Sequence, residues 1–375
     1  MKANNEKTEG TQANAPAVNI DRNIVALAAI DKYLETNIVL PTEKEIKQAG
    51  YEMIEWGPAN MYPFYLLDLY RNSATLHSVI NGCVDYLCGD GVVLTDVAKS
   101  VGFSEINSVD TPRDFLNHLG LDLFIYGGCA YQVVRSKDGR PAAFYWVDIR
   151  YLRTNKEADV FFYSEDFGKK YSRTAKTIVY PKFMPNASDV MDSIVYIRPT
   201  HMQVYPEPLY AAAVKACEME RGTDDYHLNA LGNGFSTSYA INFTNGVPTD
   251  QVKEEIEKDV IEKTTGPQNA GRVLLTFSPD MTHRPVFEKM TIDDFGEKYK
   301  SLEKSSKQKI FTAFRANPNL FGIPTENLGF SSEEYESAFK LFNRTVIRPA
   351  QERLKESIDR TLGVTGALEI MPFTM

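Results

Sequence analysis

Three lysines in the carboxy-terminal third of the chain have the spacing that places cationic groups on one helical face. Lys300, Lys304 and Lys307 follow one another at i, i+4 and i+7 within residues 293–315. Ammonium groups in such a row neutralise phosphates or pair with carboxylates. A charged run on a helix is more often an ordinary solvated face, so the lysines alone do not define a function.

Residue types that support catalysis are present, but their spacing matches no catalytic motif. The sequence has no Gly-rich phosphate loop, no His-Glu-x-x-His and no Gly-x-Ser-x-Gly. Five histidines lie too far apart in sequence for a metal site: His77, His118, His201, His227 and His283. The acid pairs Asp224-Asp225 and Asp293-Asp294 suit the first turns of helices, where the helix dipole favours negative charge. A nuclease or hydrolase built on scattered carboxylates stays open as an alternative, although no motif supports it.

Cysteine content, net charge and hydropathy restrict the function further. Cys83 and Cys88 form a C-x4-C pair without a second pair at zinc spacing, so we predict that they are free, buried thiols, like Cys129 and Cys217. The net charge of -9 gives no global basic character, so any DNA contact must be local. No segment has the apolar length of a membrane span or the core of a signal peptide, and we expect a soluble, non-secreted protein.

The elements that position the lysines are two long helices joined by a loop. The first helix, 293–315, has a narrow apolar stripe consisting of Phe295, Tyr299, Leu302, Ser306, Ile310 and Phe314. The second helix is predicted to start at a capping box of Ser331 and Glu334, to kink at Pro349 and to end at Gly363. The loop between the helices contains apolar residues among turn residues, so it needs a core, a neighbouring subunit or a ligand to contact.

The rest of the chain predicts an α+β fold, with an antiparallel sheet in residues 160–205 and no internal repeat. Residues 1–20 are polar and are predicted to be a disordered arm. Helices are predicted near residues 21–35, from Pro63, after Ser73, from Thr111, at 208–231 and at 250–263. Strands are predicted at 92–94, 130–135, 142–149, 160–163, 176–180, 194–197, 237–243 and 272–277.

Several motifs in this order resemble phage portal proteins of the HK97 type, over about residues 50–362. The matching stretches, each weak alone, share their order and spacing with the family: Trp56-Gly57 with Asn60 and Pro63; Ser73 to Ile80; Gly89 to Val92; Phe115 to Leu123; Tyr126 to Gly128; Ala130-Tyr131 and Asp148; Tyr205 to Leu209; Phe243, Gly246 and Pro248; Phe314; Phe321 to Pro324; and Arg348-Pro349.

The resemblance implies a portal-protein fold with an α/β wing, a two-helix stem, a small clip that contains β-structure and a long carboxy-terminal helix. By position, the wing is 21–246, the stem helices are 247–264 and 292–315, the clip is 265–291 and the tunnel loop is 316–331. Residues 332–375 form the carboxy-terminal wing or crown helix, and we expect no extended crown.

The resemblance also implies a function. Portal proteins form an oligomeric ring, usually a dodecamer, at one capsid vertex, where DNA is packaged and ejected through the axial channel. They have no enzymatic activity of their own and need no cofactor. The implied partners are further copies of the chain, the large terminase, a head–tail adaptor, the major capsid or scaffolding protein and double-stranded DNA, bound without sequence specificity. The implied location is the virion, with the host cytoplasm during assembly, and no membrane partner.

The residues implied for these roles fall in three groups. The tunnel loop that lines the DNA channel supplies Asn317, Asn319, Leu320, Phe321, Ile323, Thr325 and Asn327. The clip that docks terminase or adaptor supplies Gln268, Arg272, His283 and Arg284. The stem supplies Lys300, Lys304 and Lys307, which either face the channel or pair with acids of the adjacent stem, such as Glu254 and Glu257.

One competing interpretation is a non-viral, non-catalytic scaffold or interaction protein with the same arrangement of helices and sheets. Such a protein is expected to be a monomer or dimer in solution. The nuclease or hydrolase interpretation instead predicts metal-dependent loss of substrate that single Asp or Glu substitutions abolish.

Overall fold

The computed structural model describes ten stretches of the chain. They are residues 43–48, 51–167, 177–187, 191–199, 203–232, 239–243, 248–256, 273–277, 295–322 and 332–373. The predicted arm at 1–20 and the predicted helix at 21–35 lie outside these residues.

A β-hairpin and two helices open the described chain. Strands β1 (Glu43–Gln48) and β2 (Tyr51–Trp56) pair antiparallel, and the sequence did not predict this hairpin. Helices α1 (Tyr62–Asn72) and α2 (Ala74–Cys88) follow, as predicted. The Ser73 hydroxyl accepts a hydrogen bond from the Leu76 amide, which satisfies a backbone donor at the start of α2.

The turn between β2 and α1 is held by a buried arginine. The Arg153 guanidinium donates to the side-chain oxygen of Asn60 at 2.6 Å and to the Asn60 carbonyl at 2.9 Å. It also lies over the Trp56 ring, and burial lowers its pKa to about 10. Asn60 adopts a φ of 62°, so these bonds stabilise a backbone conformation that few non-glycine residues adopt.

Two antiparallel three-stranded sheets form the β-structure of the middle region. In the first, β4 (Cys129–Arg135) lies between β5 (Pro141–Val147) and β9 (Asp192–Ile197). In the second, β7 (Val160–Tyr163) lies between β6 (Leu152–Thr154) and β8 (Ile178–Pro181). Helix α4 (Pro112–Tyr126) follows strand β3 (Gly91–Leu94) and the short helix α3 (Asp96–Ser100), and it starts at a capping box of Thr111 and Asp114. The predicted antiparallel character is confirmed for these two sheets.

Helix α5 (Val214–Gly232) leads to a pair of strands that run parallel. Strands β10 (Tyr239–Phe243) and β11 (Val273–Phe277) pair parallel, with helical residues 250–256 between them in sequence. Parallel neighbours need a long crossover connection, and a helix commonly supplies it. The sequence predicted these two strands but not their pairing.

The carboxy-terminal region is one long helical path followed by a strand. Helices α6 (Phe295–Ala313), α7 (Ser332–Phe342) and α8 (Arg348–Leu362) are described, and a π-helical turn, Asn343–Ile347, joins the last two. The wide turn immediately precedes Pro349, which lacks a backbone donor, so it takes the place of the sharp kink that was predicted. Helix α8 ends at Gly363, as predicted, with a φ of 69°. Strand β12 (Leu368–Met371) was not predicted and pairs antiparallel with β3.

One main core joins these elements around α2 and α4. Leu76, Val79, Ile80, Leu116 and Leu119 have no exposed surface. The four cysteines, Cys83, Cys88, Cys129 and Cys217, are buried and free, which confirms the prediction. Burial raises the pKa of the Cys83 thiol, so it is a packing residue rather than a nucleophile.

Candidate functional site

The helix that carries the predicted lysine row packs on α5 through its carboxy-terminal half. Ser306, Ile310 and Phe314 are buried there, and the Phe314 ring stacks on Tyr210 with 5.7 Å between centroids. Leu302 is 41% exposed, so the buried part of the predicted apolar stripe begins after this residue. Helix α6 therefore has one end embedded in the core and a more exposed end, which holds two of the lysines.

The three lysines have different environments. Lys300 and Lys304 are exposed. The Lys307 ammonium is 2.6 Å from a carboxylate oxygen of Glu303, one turn earlier on the same helix. The hydrogen bond with Glu303 raises the pKa of Lys307, and Glu220 and Asp224 of α5 raise it further. Lys307 therefore neutralises acids of its own chain.

A buried carboxylate of α5 organises the surface beneath Lys307. The Glu220 side chain is 3% exposed and accepts hydrogen bonds from the hydroxyls of Ser73 and Thr75 and from the Thr75 amide. These donors surround the amino-terminal end of α2, where backbone amides and the helix dipole favour an anion. Burial and the nearby Glu220 and Glu303 raise the pKa of Asp224.

The acid pair Asp224-Asp225 lies in the second half of α5 and not in a first helical turn, so that prediction was wrong. The Arg221 guanidinium is 2.6 Å from Asp68 of α1 and 3.8 Å from Asp225. The Tyr65 hydroxyl donates a hydrogen bond to Glu218. The acids of α5 thus have structural partners on α1, α2 and α6.

The predicted tunnel loop begins as a short, ordered turn. The Asn317 side chain accepts a hydrogen bond from the Asn319 amide at 3.1 Å, and residues Pro318–Phe321 form a single 3₁₀ turn. Leu320 is 6% exposed, and its carbonyl accepts a hydrogen bond from the Tyr86 hydroxyl at 2.8 Å. Gly322 then adopts a φ of 73°. Asn317 and Asn319 are half-buried.

Phe321 fits against α2 at a position where that helix has no side chain. A Cβ atom on Gly82 would lie 2.6 Å from a ring carbon of Phe321. The Phe321 ring also contacts Tyr86, Phe311 and Phe342, with centroid distances of 6.1, 5.8 and 5.7 Å. The two apolar loop residues that the structure describes, Leu320 and Phe321, therefore contact the core of their own chain.

Tyr86 is the residue that joins the loop to the other carboxy-terminal elements. Besides Phe321, its ring packs against Phe339 and Phe342 and against Phe373 beyond β12. The sequence analysis did not single out Tyr86, Gly82 or Glu220. The one available signal was the glycine inside an apolar helical stripe, a position at which another backbone or a side chain often approaches closely.

The other predicted site residues lie outside the described part of the chain. These are Ile323, Thr325 and Asn327 of the loop and the clip residues Gln268, Arg272, His283 and Arg284. Glu257 also lies outside it, and Glu254 is exposed.

Within the described residues no group of three or more His, Cys, Asp or Glu has metal-binding geometry. His77 stacks on Tyr70 and His118 on Trp146, so both serve packing. Of the described helices, none is both long enough and apolar enough to cross a membrane.

Comparison with known families identifies the chain. The family model described as phage portal protein matches residues 101–372, which include the two middle sheets, α5, α6 and the loop. The chain belongs to the phage portal protein family. This match confirms the portal resemblance, and its description names no enzymatic activity. A comparison with curated proteins finds no significant match.

Chains from gene transfer agent particles share the fold of this chain at low sequence identity. A chain from the neck of an empty gene transfer agent particle, computed with C6 symmetry, is 16% identical with a TM-score of 0.55, and the match covers 93% of this chain and 88% of that one. A chain from the neck of the native particle, computed with C12 symmetry, is 16% identical with a TM-score of 0.53, covering 92% and 89%. An HK97 family portal protein from Corynebacterium diphtheriae is 11% identical with a TM-score of 0.42, covering 79% and 89%.

Proposed function

We propose that this protein forms an oligomeric ring at one capsid vertex and that DNA enters and leaves the capsid through the ring's channel. The match of the portal family model over residues 101–372 is the observation that carries the proposal. A similar chain occurs in a particle neck computed with C12 symmetry, which supports a dodecamer. The protein then belongs to the virion and assembles in the host cytoplasm.

The proposed division of the chain follows the family's layout. Residues 21–246 form the wing, 247–264 and 292–315 the stem, 265–291 the clip, 316–331 the tunnel loop and 332–375 the carboxy-terminal helix region. Two observations add detail to this division. Strand β11 of the clip pairs with β10 of the wing, and the second half of stem helix α6 packs on wing helix α5. In this division the first contact attaches the clip to the wing, and the second attaches the stem to it.

DNA is proposed to slide past the stem and the tunnel loop without strong binding. Tight DNA binding rests on many phosphate contacts by basic residues. Lys307 is engaged with Glu303, and the exposed members of the row are Lys300 and Lys304, of which Lys304 also has an interaction partner of its own. In the loop, Leu320 and Phe321 serve as anchors, which leaves Asn317, Asn319, Thr325 and Asn327 as candidates to face DNA. Polar, uncharged groups suit a channel in which a polyanion must move.

The clip is proposed to dock the large terminase during packaging and the head–tail adaptor afterwards, through Gln268, Arg272, His283 and Arg284. The capsid or scaffolding protein is proposed to contact the wing. These roles follow from the position of each segment in the family.

The decisive experiment is the mass of the purified protein, measured by light scattering together with negative-stain images. We expect particles several times the 42.3 kDa chain mass with a central hole. A protein that stays monomeric or dimeric at high concentration, and also with scaffolding protein present, would contradict the proposal and favour the scaffold interpretation.

A further inference from the structure

A groove of about 570 Å³ runs between the outer strand β9 and helix α8. Its floor is apolar, with Phe183, Ile194, Val195 and Ile197 among the lining residues. Its rim consists of the side chains that α8 and the ends of β8 and β9 direct toward it. This groove has no part in the loop or stem contacts described above.

The rim of the groove is strongly cationic. Lys182, Arg198, Arg353 and Arg360 line it, with Glu356 as the one carboxylate among the lining residues. Within the described part of the chain, no carboxylate forms an ion pair with Lys182, Arg353 or Arg360. Arg198 is fixed in place, because its guanidinium donates to the carbonyls of Gln203 and Val204 at 2.8 Å. The patch stands out on a chain whose net charge is -9.

Arg353 also borders a second cavity, of about 330 Å³, at the other end of the same helix face. This cavity is lined by Leu123, Phe124, Leu209 and Val346, and Leu209 is 43% exposed. The two cavities together form a surface with an apolar part and a basic part. Protein–protein interfaces combine these properties, with buried apolar residues surrounded by a polar rim.

We propose that this surface, from Leu209 to Arg360, receives an acidic face of a second copy of the chain, and the proposal rests on the oligomeric ring proposed above. The argument is charge complementarity: a cationic groove on an acidic protein attracts the rest of another copy. The contact joins two different faces, so it is heterologous, and heterologous contacts form a ring where the rotation between neighbours closes. An apolar floor in a narrow groove suits side chains better than the phosphates of duplex DNA.

The test is the double charge reversal Arg353→Glu/Arg360→Glu, with Lys355→Glu as the matched control. Lys355 lies on α8 but does not line the groove. Light scattering is expected to show that wild type and Lys355→Glu form rings, whereas the double variant is monomeric. The salt concentration that dissociates the rings is expected to fall at least about twofold for Arg360→Glu alone, because rim charge pairs are screened by salt.

The outcomes separate this proposal from the proposed function. Rings of unchanged salt stability from the double variant would overturn the groove contact and leave the portal ring standing. A wild-type chain that forms no rings under any condition would overturn both. Circular dichroism of the double variant serves to show that its fold is intact.

A cross-linking measurement tests the contact while keeping the four basic residues that line the groove. All four native cysteines are buried, so Glu356→Cys supplies one reactive thiol in the groove for a photoactivatable maleimide. Irradiated rings are expected to give a chain-to-chain dimer whose cross-linked peptide is rich in Asp or Glu. Lys99→Cys, on α3 away from the groove, is expected to give less than about a tenth of that dimer. Equal yields from the two variants, or a groove thiol that links only within its own chain, would overturn the proposal.

Discussion

The hydroxyl of Tyr86 on α2 donates a 2.8 Å hydrogen bond to the carbonyl of Leu320, which lies 234 residues later in the chain. This bond fixes the first turn of the loop to the core, and the aromatic contacts of Phe321 strengthen the attachment. In the proposed portal, the loop that lines the DNA channel thus has a defined anchor on the wing. Its position is then set by α2 as well as by the two helices that it joins.

Tyr86→Phe is expected to loosen the loop while keeping the aromatic packing. The Leu320 carbonyl loses its donor, and a hydrogen bond of this kind contributes roughly 0.5–1.5 kcal/mol. Faster hydrogen exchange at residues 317–322, with little change in α2, is the expected observation. Tyr145→Phe, on β5, is the control, because Tyr145 is 38% exposed. Equal exchange rates in the wild type and Tyr86→Phe would show that the hydroxyl does not hold the loop.

Gly82→Ala is expected to destabilise the protein even though alanine favours helices. The new Cβ would lie 2.6 Å from Phe321, so the ring must move. Gly222→Ala is the matched control, because it is also helical and has no atom within 4 Å of the new Cβ. The control is expected to gain up to about 1 kcal/mol of unfolding free energy, and Gly82→Ala to lose about that amount or more.

A double-mutant cycle tests whether the Phe321 ring causes the loss of unfolding free energy in Gly82→Ala. Gly82→Ala/Phe321→Ala is expected to be less destabilised than the sum of the two single variants, because the clash is absent without the ring. Urea unfolding of the four proteins supplies the measurement. Strict additivity would mean that Gly82 matters for another reason.

Several local features were predictable from the sequence because short-range rules determine them. Ser73 before α2, Thr111 before α4 and Gly363 after α8 all occupy the cap positions that their residue types suggest, and Asp114 completes the capping box from the first turn of α4. Long-range pairing was not predictable from these rules. Strand β12 is four residues long and depends on β3, more than 270 residues earlier, for its hydrogen bonds.

In the candidate site, too, local features could be predicted from the sequence and long-range contacts could not. The spacing of the lysines predicted a common face, but it did not reveal that Glu303 and the α5 acids would engage Lys307. Apolar residues in the loop indicated that a contact was required. Sequence alone could not distinguish a neighbouring subunit from the space beside Gly82 as the partner of the loop, because that space exists only once α2 and the loop are packed together.

The environment of Asp224 predicts a pH dependence of stability. Its side chain is largely exposed, but partial desolvation and the nearby Glu220 and Glu303 still raise its pKa in the folded state. An acid whose pKa is higher in the folded than in the unfolded protein destabilises the fold when it ionises. This destabilisation is absent below the pKa of the unfolded state and fully present above the pKa of the folded state. Asp224→Asn is therefore expected to be more stable than wild type at pH 7 and equal to it below about pH 3.5. Thermal unfolding across this range supplies the measurement, and Asp96→Asn on α3 is the exposed control.

The charge of Lys307 stabilises the fold, so its pH dependence is opposite to that of Asp224. Its raised pKa means that the charged form favours the fold, and this contribution is present below the unfolded pKa and lost as pH rises through the folded one. Lys307→Gln is expected to be less stable than wild type at pH 7, with the difference shrinking above about pH 10.4. A pH-independent difference would point to lost packing of the side chain rather than lost charge.

The exposed end of the lysine row can be tested without disturbing the acids around Lys307. Lys300→Glu/Lys304→Glu is the variant, and Lys309→Glu on the opposite side of α6 is the control. If these lysines face the channel, the double variant is expected to form normal rings but to package DNA about tenfold less or worse, because the introduced carboxylates repel phosphates and oppose entry of DNA. Lysines that pair with a neighbouring stem predict failed ring assembly instead. Light scattering and packaged-DNA yield, measured together, distinguish the two roles, and unchanged values of both would contradict either one.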